Sequence, residues 1–178
     1  MNRFVAVVCA GAMCLAAPTI SAEEEVRAIC PNLTELDRFV GEWIIRGPMV
    51  IGEEQEDLSA VASYRWMRNK AFLLLTIQDT ETDELAYVAV IGWDPCEECV
   101  MSWDFNYEGT VFRYYQNPIE HGWSIKGSGR LSDGGTVEFS GHHTFIDEDT
   151  MEYRGSGTFI RNGNEIPVSL EYTAKRLK

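Results

Sequence analysis

Cys96 and Cys99 stand three apart around Glu97-Glu98. That spacing serves half a zinc site, a redox pair or a disulfide across a tight turn. Zinc needs about four donors, and no second cysteine pair follows. The two glutamates oppose thiolate formation, with no helix start to favour it. A local Cys96–Cys99 bridge is therefore expected. His143 is the second candidate. It shares parity with Val137, Phe139 and Phe145, while His142 falls with the polar set, so strand alternation points His143 inward. If flanking strands keep parity, one register puts Gly127, Gly141 and Gly155 in one row and Ile125, His143 and Tyr153 in the next. Adjacent glycines leave side-chain volume empty, which either opens a cavity or lets the sheet bend sharply.

Two readings of His143 follow. In one, His143 and Tyr153 are polar handles in a glycine-lined apolar pocket for a small molecule. In the other, His143 is a core residue satisfied by one hydrogen bond with Tyr153 or Ser128. A sharper variant makes His143 a haem ligand, but no second cofactor signature accompanies it, and the cofactor stays unknown. Trp66, Trp103 and Tyr114 are candidates to line the same pocket, although inward aromatics also serve as plain filling. Arg65 and Arg113 lie on the parity opposite their aromatic neighbours and are expected at the surface. The sequence has no nucleophile elbow, phosphate loop, metalloprotease helix or dinucleotide fingerprint. Acidic runs such as Glu53-Glu54-Gln55-Glu56-Asp57 lack calcium-loop spacing, so no metal and no catalytic residue is assigned.

The elements that must hold these residues are mostly strands. Thr34 is placed to cap a short helix with Leu36, Phe39 and Val40 on one face. Beyond Gly41, turn chemistry recurs from Gly52-Glu53-Glu54 to Asn162-Gly163, the last a strong two-residue hairpin signal. The intervals alternate: Leu85, Tyr87, Ala89, Ile91 and Trp93 share a face, as do Val168, Leu170, Tyr172 and Ala174. The pattern predicts about ten antiparallel strands in a meander, and closure into an up-and-down barrel would remove both unpaired edges.

Residues 1–22 carry a short positive start, an apolar run and a small-residue end before Glu23-Glu24-Glu25, the pattern of a secretory signal peptide. The expected organisation is a signal peptide (1–22), an acidic leader (23–33) and a barrel domain (34–178), with export to the periplasm or beyond. Cys30, Cys96 and Cys99 remain after the cut. With 15 Lys+Arg against 28 Asp+Glu in 178 residues, the formal charge is -13, which argues against nucleic acid because counterion release needs clustered cations. No second long apolar run follows the first, so no transmembrane helix is expected in the mature protein.

The segment Phe39-Val40-Gly41-Glu42-Trp43 resembles the Gly-x-Trp opening of calycin (lipocalin-like) barrels. Tyr64-Arg65-Trp66, Ile91-Gly92-Trp93-Asp94-Pro95, Ser102-Trp103 with Phe105, and Ser132-Asp133-Gly134 resemble the bacterial domain-of-unknown-function family 1579 over roughly residues 34 to 177. The resemblance implies a barrel in which Trp43 closes one end and Lys175 or Arg176 packs on it, and it implies no catalytic motif. Cys96-Glu97-Glu98-Cys99 departs from that pattern. The joint expectation is an exported protein binding a small, mainly apolar molecule in its barrel. The alternatives are an enzyme or haem barrel using His143 with Tyr153, and an envelope interaction module with no cavity.

Overall fold

Asn162 and Gly163 both adopt left-handed backbone (φ 52° and 79°), the geometry that lets a two-residue turn match the twist of its flanking strands. Equivalent breaks along the chain divide it into β1 (Gly41–Ile51), β2 (Glu54–Trp66), β3 (Phe72–Asp79), β4 (Leu85–Asp94), β5 (Cys99–Asn106), β6 (Val111–Ile119), β7 (Gly122–Arg130), β8 (Thr136–Phe145), β9 (Thr150–Arg161) and β10 (Asn164–Arg176). The computed structural model describes residues 31–178; the expected signal peptide, most of the acidic leader and Cys30 lie outside the described residues. Each strand pairs antiparallel with its sequence neighbour, and β10 returns to β1 to close the barrel. Closure leaves no open sheet edge.

A 3-10 helix, Pro31–Arg38, precedes the barrel. Leu33, Leu36 and Phe39 are fully buried, and their spacing of three is that of a 3-10 turn. The expected stripe of Leu36, Phe39 and Val40 behind a Thr34 cap is corrected accordingly: the helix starts at Pro31 and Val40 is only half-buried. The domain boundary expected at residue 34 thus falls inside the helix, and Leu33 belongs to the core.

The helix plugs one barrel end. Trp43, Leu73, Val100, Trp123, Met151 and Ala174 pack there, each at most 1% exposed. Trp43 Nε1 donates to the Phe39 carbonyl (2.7 Å) and Trp66 Nε1 to Asp37 Oδ1 (2.6 Å). The Arg176 guanidinium lies 4.1 Å from the centroid of the Trp43 ring and donates to the Val40 and Arg38 carbonyls. Such a contact combines cation–π attraction with charge-assisted hydrogen bonds. In the opposite half, the inward-facing residues Leu58, Ile77, Phe112, Tyr114, Phe139 and Leu170 are only half-buried. The interior is floored at the helix end, and its inward residues keep partial exposure at the other.

Candidate functional site

Strand β5 inverts the usual alternation. Its even residues Val100, Ser102 and Asp104 oppose Trp93, Ile91 and Ala89 on β4 and Gln116, Tyr114 and Phe112 on β6, and all three are buried. They face inward. Trp103 sits between Val90 and Arg113 on the outer face, so its expected place in the pocket is corrected. Trp103 and Phe105 face outward, as does Met101, which is nonetheless fully buried, while a hydroxyl and a carboxylate enter the barrel.

Asp104 is 5% exposed. Tyr87 donates its hydroxyl to Oδ2, whereas Oδ1 has no partner. The Ser102 hydroxyl and His143 Nδ1 are likewise buried without partners. Among the described residues no cation pairs with Asp104. Burial pushes its carboxyl up to about 6, against the lowering effects of the Tyr87 bond and of the neighbouring Ser102 hydroxyl, which lies close without forming a well-aligned bond. Tyr64, Tyr87, Tyr114 and Tyr153, from four different strands, are all held well above the ordinary phenol value, first by burial and then by the charge on Asp104. These phenols stay neutral and supply hydroxyls among predominantly apolar side chains.

His143 is buried as well, 7% exposed. Phe39 meets its ring edge-on at 5.4 Å between centroids, Tyr153 lies at 4.7 Å, and Tyr172, stacked on Tyr153, at 6.2 Å. Burial, reinforced by His142, drops its pKa to about 3, so the imidazole is neutral at ordinary pH. Its Nδ1 makes no hydrogen bond. The satisfied core histidine expected with Tyr153 or Ser128 is therefore corrected; Ser128 pairs with Glu138 on the outer face and cannot reach it. Phe39, Tyr153 and Tyr172 pack against the His143 ring.

The β8–β9 register sets Gly141 against Gly155 and His143 against Tyr153. On β7, however, Gly127 pairs with Phe139, and Trp123 rather than Ile125 flanks His143. The three-glycine row is corrected to two. Nor do these glycines leave a hollow. A Cβ on Gly141 would stand 2.5 Å from the Tyr153 hydroxyl oxygen, and one on Gly155 would stand 2.5 Å from Phe139 Cε1 and 2.6 Å from that same oxygen. One on Gly127 would meet Tyr114 Cδ1 at 2.6 Å. The missing side chains make room for aromatic rings laid against the sheet. A concavity of about 900 Å³ lies against the mainly outward-facing side of β6–β10, with Tyr115, Lys126, Ser140 and Ser156 in its wall and neither Asp104 nor His143.

Trp66 faces inward but at the plugged end, bonded to Asp37; Tyr114 is inward and borders Ser102. Arg65 and Arg113 are at the surface, in ion pairs with Glu42 (2.9 Å) and with Glu97 (3.7 Å). The Cys96–Cys99 bridge is not formed: both thiols are free. Asp94 Oδ1 accepts from the Cys96 and Glu97 amides and Glu98 takes a left-handed φ of 51°, so the turn closes by itself. Burial, then Asp94 and Glu97, pushes the Cys99 thiol up. Among the described residues, no group of three or more His, Cys, Asp and Glu could hold a metal ion, and no helix is long and apolar enough to cross a membrane.

The chain is similar to two solved structures. One is the S-type phycobiliprotein lyase CPES from Guillardia theta, with a TM-score of 0.56 and 11% identity over 82% of this chain and 92% of that one. The other is Rv2717c from M. tuberculosis, with a TM-score of 0.56 and 14% identity over 84% of this chain and 99% of that one. The fold is calycin-like. No family model matches the chain and no curated protein matches it; the resemblance to family 1579 rests on the motif residues quoted above.

Proposed function

We propose that this protein binds a small, mainly apolar molecule in the half of its barrel opposite the helix. One observation carries the reading: Asp104 Oδ1, an ionisable oxygen inside the barrel, is buried with no partner. Leaving a buried acceptor unpaired costs about 1–3 kcal/mol, more when it is charged, and an arrangement of that cost is most simply explained by a ligand that supplies the missing bond. The unpartnered Ser102 hydroxyl next to Tyr114, and the half-buried inward residues Phe112, Tyr114, Phe139 and Leu170, support it. A few polar groups converging in an apolar wall are the usual makeup of a small-molecule site. The shared fold of a phycobiliprotein lyase is in keeping with it. Catalysis by His143 with Tyr153 has less support, because His143 packs against Phe39 at the plugged end of the barrel. We place the protein outside the cytoplasm on the strength of residues 1–22, so N-terminal sequencing of the mature form should begin at about Glu23. Mass spectrometry of the natively purified protein, followed by solvent extraction, tests the binding reading. A stoichiometric small molecule lost in Asp104→Leu is expected; a protein free of adducts that also fails to take up any amphiphilic probe would defeat it.

A further inference from the structure

We propose that the ligand carries a protonated amine, or a comparable N–H-donating cation, bound by Asp104 Oδ1 among the tyrosines of the barrel interior. The inference rests on the interior-binding reading and narrows it. An ionised carboxylate only accepts hydrogen bonds, so whatever completes Oδ1 must donate. A buried charge is strongly disfavoured unless an opposite charge joins it, and among the described residues no lysine or arginine does so. His143 cannot serve, since burial keeps it neutral. A bound cation would supply the charge that Asp104 lacks among the described residues. Its surroundings suit such a visitor. Tyr64, Tyr87, Tyr114 and Tyr153 all lie within electrostatic reach of Asp104, and aromatic rings attract cations. A formal charge of -13 on the whole chain adds a field that gathers cations and repels anions. The apolar remainder of the ligand would lie along Ile77, Phe112, Phe139 and Leu170 towards the end opposite the helix.

Three probes with one tail decide the matter: n-octylammonium, 1-octanol and octanoate, titrated against the purified full-length mature protein by calorimetry at pH 8. The expected order is octylammonium first, at least tenfold tighter than octanol, with octanoate weakest. The preference over octanol should shrink at pH 5. Asp104 titrates near 6, and the groups facing it, Tyr87 from β4, Tyr114 from β6, Tyr64 from β2 and Tyr153 from β9, keep one protonation state across that range, as does His143. Asp104→Asn should bring octylammonium to the octanol level while octanol itself is unchanged. The pH series on the unaltered protein gives the same answer should that variant fold poorly. Octanol or octanoate binding as tightly as octylammonium at pH 8 would overturn the amine assignment and leave interior binding standing. A failure of all three to bind would remove both.

Discussion

Asp104 and His143 are buried ionisable groups whose protonation is biased in opposite directions, so their effects on stability oppose each other. The Asp104 carboxyl titrates higher in the folded chain than in the unfolded one. The folded state binds its proton more tightly, and this group's contribution to stability falls as pH rises from about 4 to about 6, then stays low. His143 titrates lower in the folded chain, at about 3; its contribution is fully present above the unfolded value and is lost as pH falls through the window from about 6.5 to about 3. Asp104→Asn should therefore raise stability at pH 8 by up to about 3 kcal/mol, a gap that closes towards pH 4; urea melts at both pH values check it, and an equal effect at the two would contradict it. His143→Asn should instead blunt acid unfolding between pH 6 and pH 4. His143 was legible in the sequence because its strand alternates cleanly. Asp104 was not: β5 sends Met101, Trp103 and Phe105 outward, so hydrophobic alternation assigns its faces the wrong way round. The available signal was Asp104 itself, a carboxylate between two aromatic residues in a strand whose neighbours already offer a consistent inner face.

The plugged end and the glycine pair test packing at the level of elements. Arg176 packs on Trp43 and donates to carbonyls at the end of the helix. Arg176→Met should lower stability by roughly 3 kcal/mol, the order of one cation–π contact and a charge-assisted hydrogen bond together. Arg176→Lys should recover little of it, because an ammonium lacks the planar fork; denaturant midpoints would show a full recovery if the fork were irrelevant. At the glycines, Gly141→Ala should cost more than Gly155→Ala, both in the range of about 1–3 kcal/mol. A Cβ on Gly141 meets the Arg154 carbonyl at 2.7 Å as well as the Tyr153 hydroxyl, whereas the three nearest atoms at Gly155 are all side-chain tips. Tyr153→Phe should partly rescue Gly155→Ala, and its failure to do so would put the strain elsewhere. The strand boundaries were readable from turn residues because each break needs its own chemistry. Strand offset was less so: a slip of two residues, as at Gly127 against Phe139, preserves every face and leaves no trace in the alternation. The 3-10 geometry of Pro31–Arg38 was written in the spacing of Leu33, Leu36 and Phe39, which a search for a 3.6-residue period passes over.

For the whole molecule, closure and charge dominate. Strand β1 is clasped between β2 and β10, so the two ends of the sheet depend on each other, and tryptophan fluorescence and far-ultraviolet dichroism should report one coincident unfolding transition. With a formal charge of -13, self-repulsion disfavours the compact state at low ionic strength. The melting temperature should rise by several degrees between 10 and 150 mM NaCl, and a flat response in scanning fluorimetry would mean that local pairing already offsets the repulsion. Closure itself could be anticipated from the number of strands and their short connections, but which end is stoppered depends on where the helix docks, a long-range fact that local patterning does not carry. That floor has a consequence for traffic. If the barrel holds a guest as proposed, one stoppered end means that loading and emptying share a single route, so delivery and collection at that rim would exclude each other in time.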